Sequence, residues 1–135
     1  MYMHTSARYA LKEAVQSIGN ITSAHFDYSQ LSSKYNMLLA GGLPNIFNPK
    51  MKAGALNDLG VYCVYPAIDL FGEPQQITAL QHFLFTGADG AGSAILKYKD
   101  KIVTITYSKT AESRANMNHI KITSEKNCTL RYILP

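Results

Sequence analysis

Ile-Val-Thr-Ile-Thr-Tyr-Ser at positions 102–108 is one of five stretches in the second half of the chain that have the composition of β-strands. These stretches are rich in Ile, Val, Thr, Tyr and Phe, the residues that suit the pleated surface of a sheet. Their predicted bounds are Ile77–Phe85, Ser93–Tyr98, Ile102–Ser108, Asn118–Thr123 and Thr129–Leu134. Turn sequences at 87–90, 99–100 and 126–127 join neighbouring strands, and such short connections make them antiparallel.

The first half of the chain adds two helices and one more strand. Apolar residues recur at helical spacing over residues 6–18 and again over 55–71. Residues 21–29 change to a period of two, which predicts a strand. Pro66 lies inside the second helix and lacks an amide hydrogen, so we expect a kink between Tyr62 and Pro66. The sequence therefore predicts an α+β fold, a mainly antiparallel sheet of five or six strands with helices on one face.

Length and composition limit what this chain can be. Its 135 residues, 47% hydrophobic and 16% charged, predict one globular domain over residues 1–135. No apolar run approaches the roughly 18 residues of a membrane span, and the start lacks a secretory pattern. The net charge of +4 comes without an Arg-rich stripe, which argues against nucleic-acid binding. Cys63 and Cys128 form no CxxC motif, so we expect reduced thiols in a cytoplasmic protein.

Metal and dinucleotide sites are not predicted from the residues. The four histidines are single and lack the spacing of metal ligands: His4, His25, His82 and His119. The glycine-rich segment 87–92 joins two predicted strands, whereas a dinucleotide loop leads from a strand into a helix. We therefore predict no metal and no cofactor-binding residues in this chain.

The long irregular stretch over residues 30–53 is a candidate binding loop, since long loops in small domains are often functional. Its segment Gln30–Tyr35 and the later Asn48 place polar groups beside aromatic rings. That mixture suits a sugar-like polyol, although an ordinary polar loop has the same composition. We predict Lys34, Tyr35 and Asn48 as substrate-binding residues.

Asp58 and Tyr62 are the candidate catalytic pair. They lie four residues apart in a predicted helix, and this spacing puts both side chains on one face. A carboxylate beside a phenol can orient a substrate hydroxyl and pass its proton. The spacing alone is more typical of a surface acid beside a half-buried tyrosine. Asp69, seven residues after Tyr62, is predicted to be a solvated or structural acid.

Gly54–Tyr62, with the sequence GALNDLGVY, and the following LFGEP at 70–74 resemble the substrate-domain signature of the Gfo/Idh/MocA oxidoreductases. The form of the motif that carries tyrosine is most similar to the glucose–fructose oxidoreductase and dihydrodiol dehydrogenase branch. Thr86–Asp89 resembles the family's Thr-Gly-x-Asp turn. The resemblance implies a truncated domain like the C-terminal domain of glyceraldehyde-3-phosphate dehydrogenase, with Asp58 and Tyr62 beside the reacting carbon. Tyr62 stands at a position where other relatives carry His. A tyrosine is a poor base at neutral pH, so Tyr62 would need a nearby cation or would act as a hydrogen-bond donor.

The resemblance also implies partners and missing parts. The family uses NAD(P) and pairs through the exposed sheet face, whereas the N-terminal Rossmann domain and the Glu-Lys-Pro segment are absent from these 135 residues. We therefore expect a fragment, the substrate-binding and dimerisation domain of an NAD(P)-dependent oxidoreductase acting on a sugar, polyol or related compound. Alone, it is expected to be inactive and to bind no NAD(P). The alternatives are a stand-alone noncatalytic ligand-binding or dimerisation module and a small basic RNA-binding α+β protein.

Overall fold

The computed structural model describes residues 5–110 and 118–133. Their helices and strands, in chain order, are α1 (Ser6–Ser17), β1 (Ile21–Ser29), α2 (Tyr35–Leu39), α3 (Val61–Phe71), β2 (Gln76–Phe83), β3 (Asp89–Lys97), β4 (Ile102–Ser108), β5 (His119–Ser124) and β6 (Thr129–Ile133). Short 3-10 turns lie at Asn45–Phe47 and Pro49–Met51. A π-helical turn, Leu56–Gly60, leads directly into α3. His4 and the predicted strand end at Leu134 lie outside the described residues.

The strands form one sheet in the order β2-β3-β4-β1-β5-β6. Within the described ranges, β1 and β4 pair in parallel, while the other neighbouring strands are antiparallel. This confirms the predicted α+β fold with a mainly antiparallel sheet. The sequence did not predict the place of β1, which lies between β4 and β5 rather than before a simple meander. Its pairing joins Ala24 to Val103, far apart in the chain, and local patterns carry no information about such a pairing.

One face of the sheet carries the core and the other is open. Alternate residues of β4, Val103, Ile105 and Tyr107, are buried together with Phe26 of β1. They belong to one cluster with residues of the helices, namely Leu11, Leu59, Cys63 and Ala67. On the opposite face, as expected from the alternation, Ile102 is 52% exposed. The helices therefore cover a single face of the sheet.

The segment that carries Asp58 begins at a close contact with β3. Asp89 Oδ2 accepts a hydrogen bond of 2.7 Å from the Leu56 amide, one of the amides left unpaired at the start of a helix. A Cβ at Gly54 would lie 1.7 Å from Asp89 Oδ1, so only glycine allows this approach. The Thr-Gly-x-Asp turn therefore has a structural role: its aspartate caps the helical segment and fixes where Asp58 lies.

The departure from regular helix lies earlier than the sequence predicted. The hydrogen-bonded helix continues through Pro66, and the irregular part is the π turn Leu56–Gly60. A Cβ at Gly60 would lie 2.8 Å from Leu56 and 3.2 Å from the ring of Tyr107, so the glycine lets this turn pack closely on β4.

Asp69 attaches α1 to α3. Its carboxylate accepts hydrogen bonds from the Arg8 guanidinium, at 2.8 and 2.6 Å, and from Lys12 Nζ at 2.9 Å. The hydrogen bond from Arg8, and then that from Lys12, lower the pKa of Asp69 to about 2 against the opposing effect of burial. The prediction of a structural acid is therefore confirmed.

Candidate substrate site

Asp58 lies in the π turn, and its carboxylate meets a buried cation. The Asp58 side chain is 56% exposed, and its Oδ2 lies 2.8 Å from Lys109 Nζ, on a side chain that is only 2% exposed. The two residues come from distant parts of the chain, the turn before α3 and the end of β4. The pair thus joins a solvent-exposed carboxylate to a buried ammonium group.

Both the backbone and the side chain of Lys109 make contacts with other parts of the protein. Its amide donates to the Gly90 carbonyl at 2.8 Å, and its carbonyl accepts from the Ser32 amide at 3.0 Å. Lys109 Nζ donates to the Ile46 carbonyl at 3.4 Å and lies 5.5 Å from the ring centre of Phe47. A cation above an aromatic face is favourable, and more so away from water. The ammonium group therefore has a fixed position between the binding loop and the sheet.

Tyr62 stacks on Tyr28 of β1, with ring centres 4.9 Å apart and planes inclined by 22°. Burial raises the pKa of Tyr28, and its neighbours Tyr62 and Asp58 raise it further, because a second negative charge there would be unfavourable. Tyr28 therefore interacts with both Tyr62 and Asp58. Tyr62 remains 38% exposed, so part of its ring is accessible.

A cleft of about 300 Å³ opens beside the Asp58–Lys109 pair. Its lining combines polar and apolar groups from the binding loop, the π turn and the end of β4: Gln30, Leu31, Ser32, Ser33, Ile46, Asp58, Leu59 and Lys109. A second cleft, of about 230 Å³, has Met51, Lys52 and Asn57 in its wall. Both clefts share Ile46, Asp58 and Lys109, so the ion pair lies between them.

The predicted site residues occupy different positions around this arrangement. Asp58 lines both clefts, while Tyr62 lies on the neighbouring stretch against Tyr28. Lys34 is exposed and directly precedes α2, and its amide donates to Ser32 Oγ at 3.2 Å.

The other two predicted loop residues make contacts inside the loop. Tyr35 packs against the buried ring of Phe47 at 5.9 Å between centres. Asn48 Oδ1 accepts a hydrogen bond of 3.0 Å from the Lys50 amide. Neither residue lines the two clefts. On this side the first cleft is walled by Ser32, Ser33 and Ile46, and the second by Ile46 and Met51.

Sequence reasoning missed Lys109 and Tyr28. For Lys109 a signal was present: it continues the alternation of Val103, Ile105 and Tyr107, whose side chains face the helices. A lysine at an inward position of a strand pattern is unusual, because an isolated buried charge is costly. Tyr28 gave no comparable signal, since its stacking partner belongs to another element.

The other reactive groups do not join this site. Cys63 is buried, and burial raises the pKa of its thiol to about 12, so it stays protonated. Cys63 and Cys128 are both free thiols. Across the described ranges, no group of three or more His, Cys, Asp or Glu side chains is placed to hold a metal ion. No helix in the same ranges has the length and apolar character that a membrane span requires.

A dinucleotide does not fit the glycine-rich segment. Residues 87–92 lead from β2 into β3, and the Gly87 and Leu84 amides bond within that turn rather than pointing to a phosphate. A pyrophosphate cradle needs a helix N-terminus after the glycines. The described residues therefore offer no such cradle here.

A family model described as the GFO/IDH/MocA C-terminal domain matches residues 9–128. The chain belongs to this family. The resemblance noted from the sequence is therefore confirmed, and the relatives are oxidoreductases.

Two curated relatives match over 105 residues. YgjR of Escherichia coli (strain K12), an uncharacterized oxidoreductase, is 37% identical, and the alignment covers 78% of this chain and 32% of YgjR. The scyllo-inositol 2-dehydrogenase (NADP(+)) IolU of Bacillus subtilis (strain 168) is 38% identical with the same coverage, 78% and 32%. The chain thus spans about a third of the length of these relatives.

Solved structures share the fold at low identity. The scyllo-inositol dehydrogenase from Lactobacillus casei, solved with NAD(H) and scyllo-inositol, superposes with a TM-score of 0.72 at 13% identity. The superposition covers 95% of this chain and 38% of that one. It agrees with the C-terminal domain fold that the strands and helices already indicated.

Proposed function

We propose that this chain is the substrate-binding domain of an NAD(P)-dependent oxidoreductase that acts on a neutral polyol or sugar. The observation that carries the proposal is the Asp58 carboxylate, which Lys109 fixes at the edge of a polar cleft, on the same helical segment as Tyr62. Family membership supports the reaction class, because the curated relatives are oxidoreductases.

In this proposal the chain's own residues manage the substrate hydroxyl. The Tyr62 phenol donates a hydrogen bond to the hydroxyl oxygen. The Asp58 carboxylate accepts the hydroxyl proton when the carbon is oxidised and returns it when the carbonyl is reduced. The bound NAD(P) would supply hydride transfer to or from the carbon that bears this hydroxyl. Since the described residues form no dinucleotide cradle, we assign the cofactor to a domain outside these 135 residues.

The charge of the site favours a neutral ligand. Lys109 and Asp58 carry opposite charges at 2.8 Å, so the cleft presents no unpaired cation for an acidic substrate. Gln30, Ser32 and Ser33 add groups that both donate and accept hydrogen bonds, as a polyol requires. IolU is named as a scyllo-inositol dehydrogenase, which makes inositols the first compounds to test. Lys34, Tyr35 and Asn48 are proposed to act further out, at the rim of the loop.

The open face of the sheet is proposed to pair with a second copy. Leu80 and Ile95 are 79% and 47% exposed on it, next to Ile102. A sheet with helices on one face must cover or solvate the other, and an isologous contact closes on itself. We expect a dimer by sedimentation at micromolar concentration, and a monomer would contradict this part of the proposal.

The function is tested by two substitutions in the full-length oxidoreductase, each with a matched control. Asp58→Asn and Tyr62→Phe should lower kcat by about 100-fold or more and change KM much less, since the roles matter mainly in the transition state. Asp100→Asn and Tyr65→Phe change an exposed acid and an exposed tyrosine away from the cleft, and they should leave kcat unchanged. Unchanged kcat in both site variants would remove the catalytic assignment. Polyol binding without turnover would instead favour the noncatalytic ligand-binding module.

A further inference from the structure

The burial of Lys109 is costly for the folding of the domain. The position continues an inward row of Val103, Ile105 and Tyr107, where an apolar side chain would pack without cost. Removing an ammonium group from water costs several kcal/mol, and a single ion pair often fails to recover that cost. Its partner Asp58 is more than half exposed, so water already stabilises this carboxylate and the charge of Lys109 is not needed for that purpose. Departures of this kind from good packing are typical of functional sites.

We propose that Lys109 is a positioning residue for the reaction, holding the Asp58 carboxylate in the orientation that the substrate requires. The proposal rests on the function proposed above. It assigns to Lys109 a role that acts through Asp58.

The geometry explains how the lysine can do this. An exposed aspartate normally samples several rotamers, whereas the Lys109 side chain is fixed by Phe47 and the Ile46 carbonyl. A hydrogen bond of 2.8 Å to a fixed donor therefore restricts Asp58 Oδ2 and leaves the exposed part of the carboxylate for the substrate. Preorganisation of this kind is effective because a displacement of about 1 Å can cost roughly 100-fold in rate.

The same contacts link the carboxylate to the binding loop. Ile46 and Phe47 belong to the 3-10 turn of the loop, and the Lys109 carbonyl accepts from Ser32 of the same loop. Lys109 thus joins the loop, the π turn and β4 at one point. Substrate contacts made by the loop and proton handling by Asp58 share this support.

The test is a double-mutant cycle in the full-length oxidoreductase, assayed with NADP⁺ and scyllo-inositol. Lys109→Met should lower kcat by roughly 10- to 100-fold with less than about threefold change in KM. The double variant Asp58→Asn/Lys109→Met should be no slower than Asp58→Asn alone, because Lys109 acts only through Asp58. Lys101→Met is the matched control, since Lys101 also pairs with an aspartate and lies over aromatic rings.

Two further measurements separate positioning from mere stability. Thermal unfolding of Lys109→Met should show a midpoint equal to or above that of the wild type, because methionine fills the space without a buried charge. Lys109→Gln keeps a hydrogen-bond donor and should retain more of kcat than Lys109→Met does.

Several results would overturn the proposal. These are an unchanged kcat in Lys109→Met, losses that add fully in the double variant, or a fall in kcat that appears only with a lowered unfolding midpoint. If Asp58→Asn itself leaves kcat unchanged, the proposed function fails first. If only Lys109→Met leaves it unchanged, the function stands and the role of Lys109 is rejected.

Discussion

The two ends of β4 carry lysines with similar surroundings and different consequences. Lys101, just before the strand, pairs with its neighbour Asp100 and lies 5.9 and 5.7 Å from the ring centres of Phe71 and Tyr98. Lys109, just after it, pairs with Asp58 and lies 5.5 Å from the ring centre of Phe47. The first pair joins adjacent residues in a turn, whereas the second joins distant segments beside a cleft.

The difference shows that the burial of the lysine, and the separation of the two residues along the chain, decide what an ion pair does. Hydrogen bonding from Lys101 lowers the pKa of Asp100, but that acid is solvent-exposed and an exposed pair contributes little to stability. Asp58 is also exposed, yet its lysine is buried, so the pair fixes an accessible acid to the interior. We call the region around Lys109 and Asp58 the site end of β4, and the region around Lys101 and Asp100 the turn end of β4.

The largest stability effect is expected at the site end, at Gly54. Gly54→Ala places a Cβ 1.7 Å from Asp89 Oδ1 and must displace the cap of the helical segment, with an expected loss of about 3 kcal/mol. At the turn end, Gly72 has open space around it but a φ of +74° and a ψ of −162°, a conformation nearly restricted to glycine, so Gly72→Ala should cost about 2 kcal/mol. Chemical denaturation of both variants measures the two losses. A larger loss for Gly72→Ala would reverse the comparison.

Two acids on the same helical segment should respond oppositely. Asp69→Asn should lower the free energy of unfolding by about 2 kcal/mol through lost bonds to Arg8 and Lys12, and should leave kcat of the full-length protein unchanged. The opposite response is in kcat: Asp58→Asn should lower kcat, and it should also lower the free energy of unfolding because it leaves the buried Lys109 ammonium without its counterion.

The contribution of Asp69 also has a definite pH dependence. Because its folded-state pKa of about 2 lies below the unfolded value, its stabilisation is present above about pH 4 and is lost as the pH falls toward 2. Wild type and Asp69→Asn should therefore approach each other in stability over this acidic range. A difference that stays constant between pH 5 and 2 would contradict the assignment.

A smaller pair of effects concerns the two caps of the helical segment. Asp89→Ala removes the acceptor for the Leu56 amide, and Tyr98→Phe removes the hydroxyl that donates to the Gly72 carbonyl at 2.9 Å. Each should cost about 1 kcal/mol. Only Asp89→Ala should also lower kcat, since it loosens the turn that carries Asp58. Equal kcat values for the two variants would show that the cap does not position the site.

The sequence predicted the fold better than the site because strand composition is local. The inward and outward alternation of Val103 and Ile102 could be read directly, and β4 has the predicted bounds. The parallel pairing of β1 with β4 could not, because it depends on contacts between residues about eighty positions apart, such as Ala24 and Val103.

For the site, helical spacing together with the family resemblance predicted Asp58 and Tyr62 as a catalytic pair, which stays a prediction, but gave no information on what surrounds them. The π turn at Leu56–Gly60 depends on packing against Tyr107, which no helical pattern contains. Lys34 was the only lysine predicted to bind the substrate. The structure brings Lys109 to Asp58 instead, and only the strand alternation could have indicated it.

A crystal structure of the full-length protein with NADP⁺ and scyllo-inositol tests the proposed function most directly. The account predicts a ring hydroxyl within about 2.6–3.2 Å of both the Tyr62 hydroxyl and the Asp58 carboxylate, with Lys109 Nζ still bonded to Asp58 Oδ2. Inositol bound away from this cleft, or an Asp58–Lys109 pair separated in the complex, would contradict it.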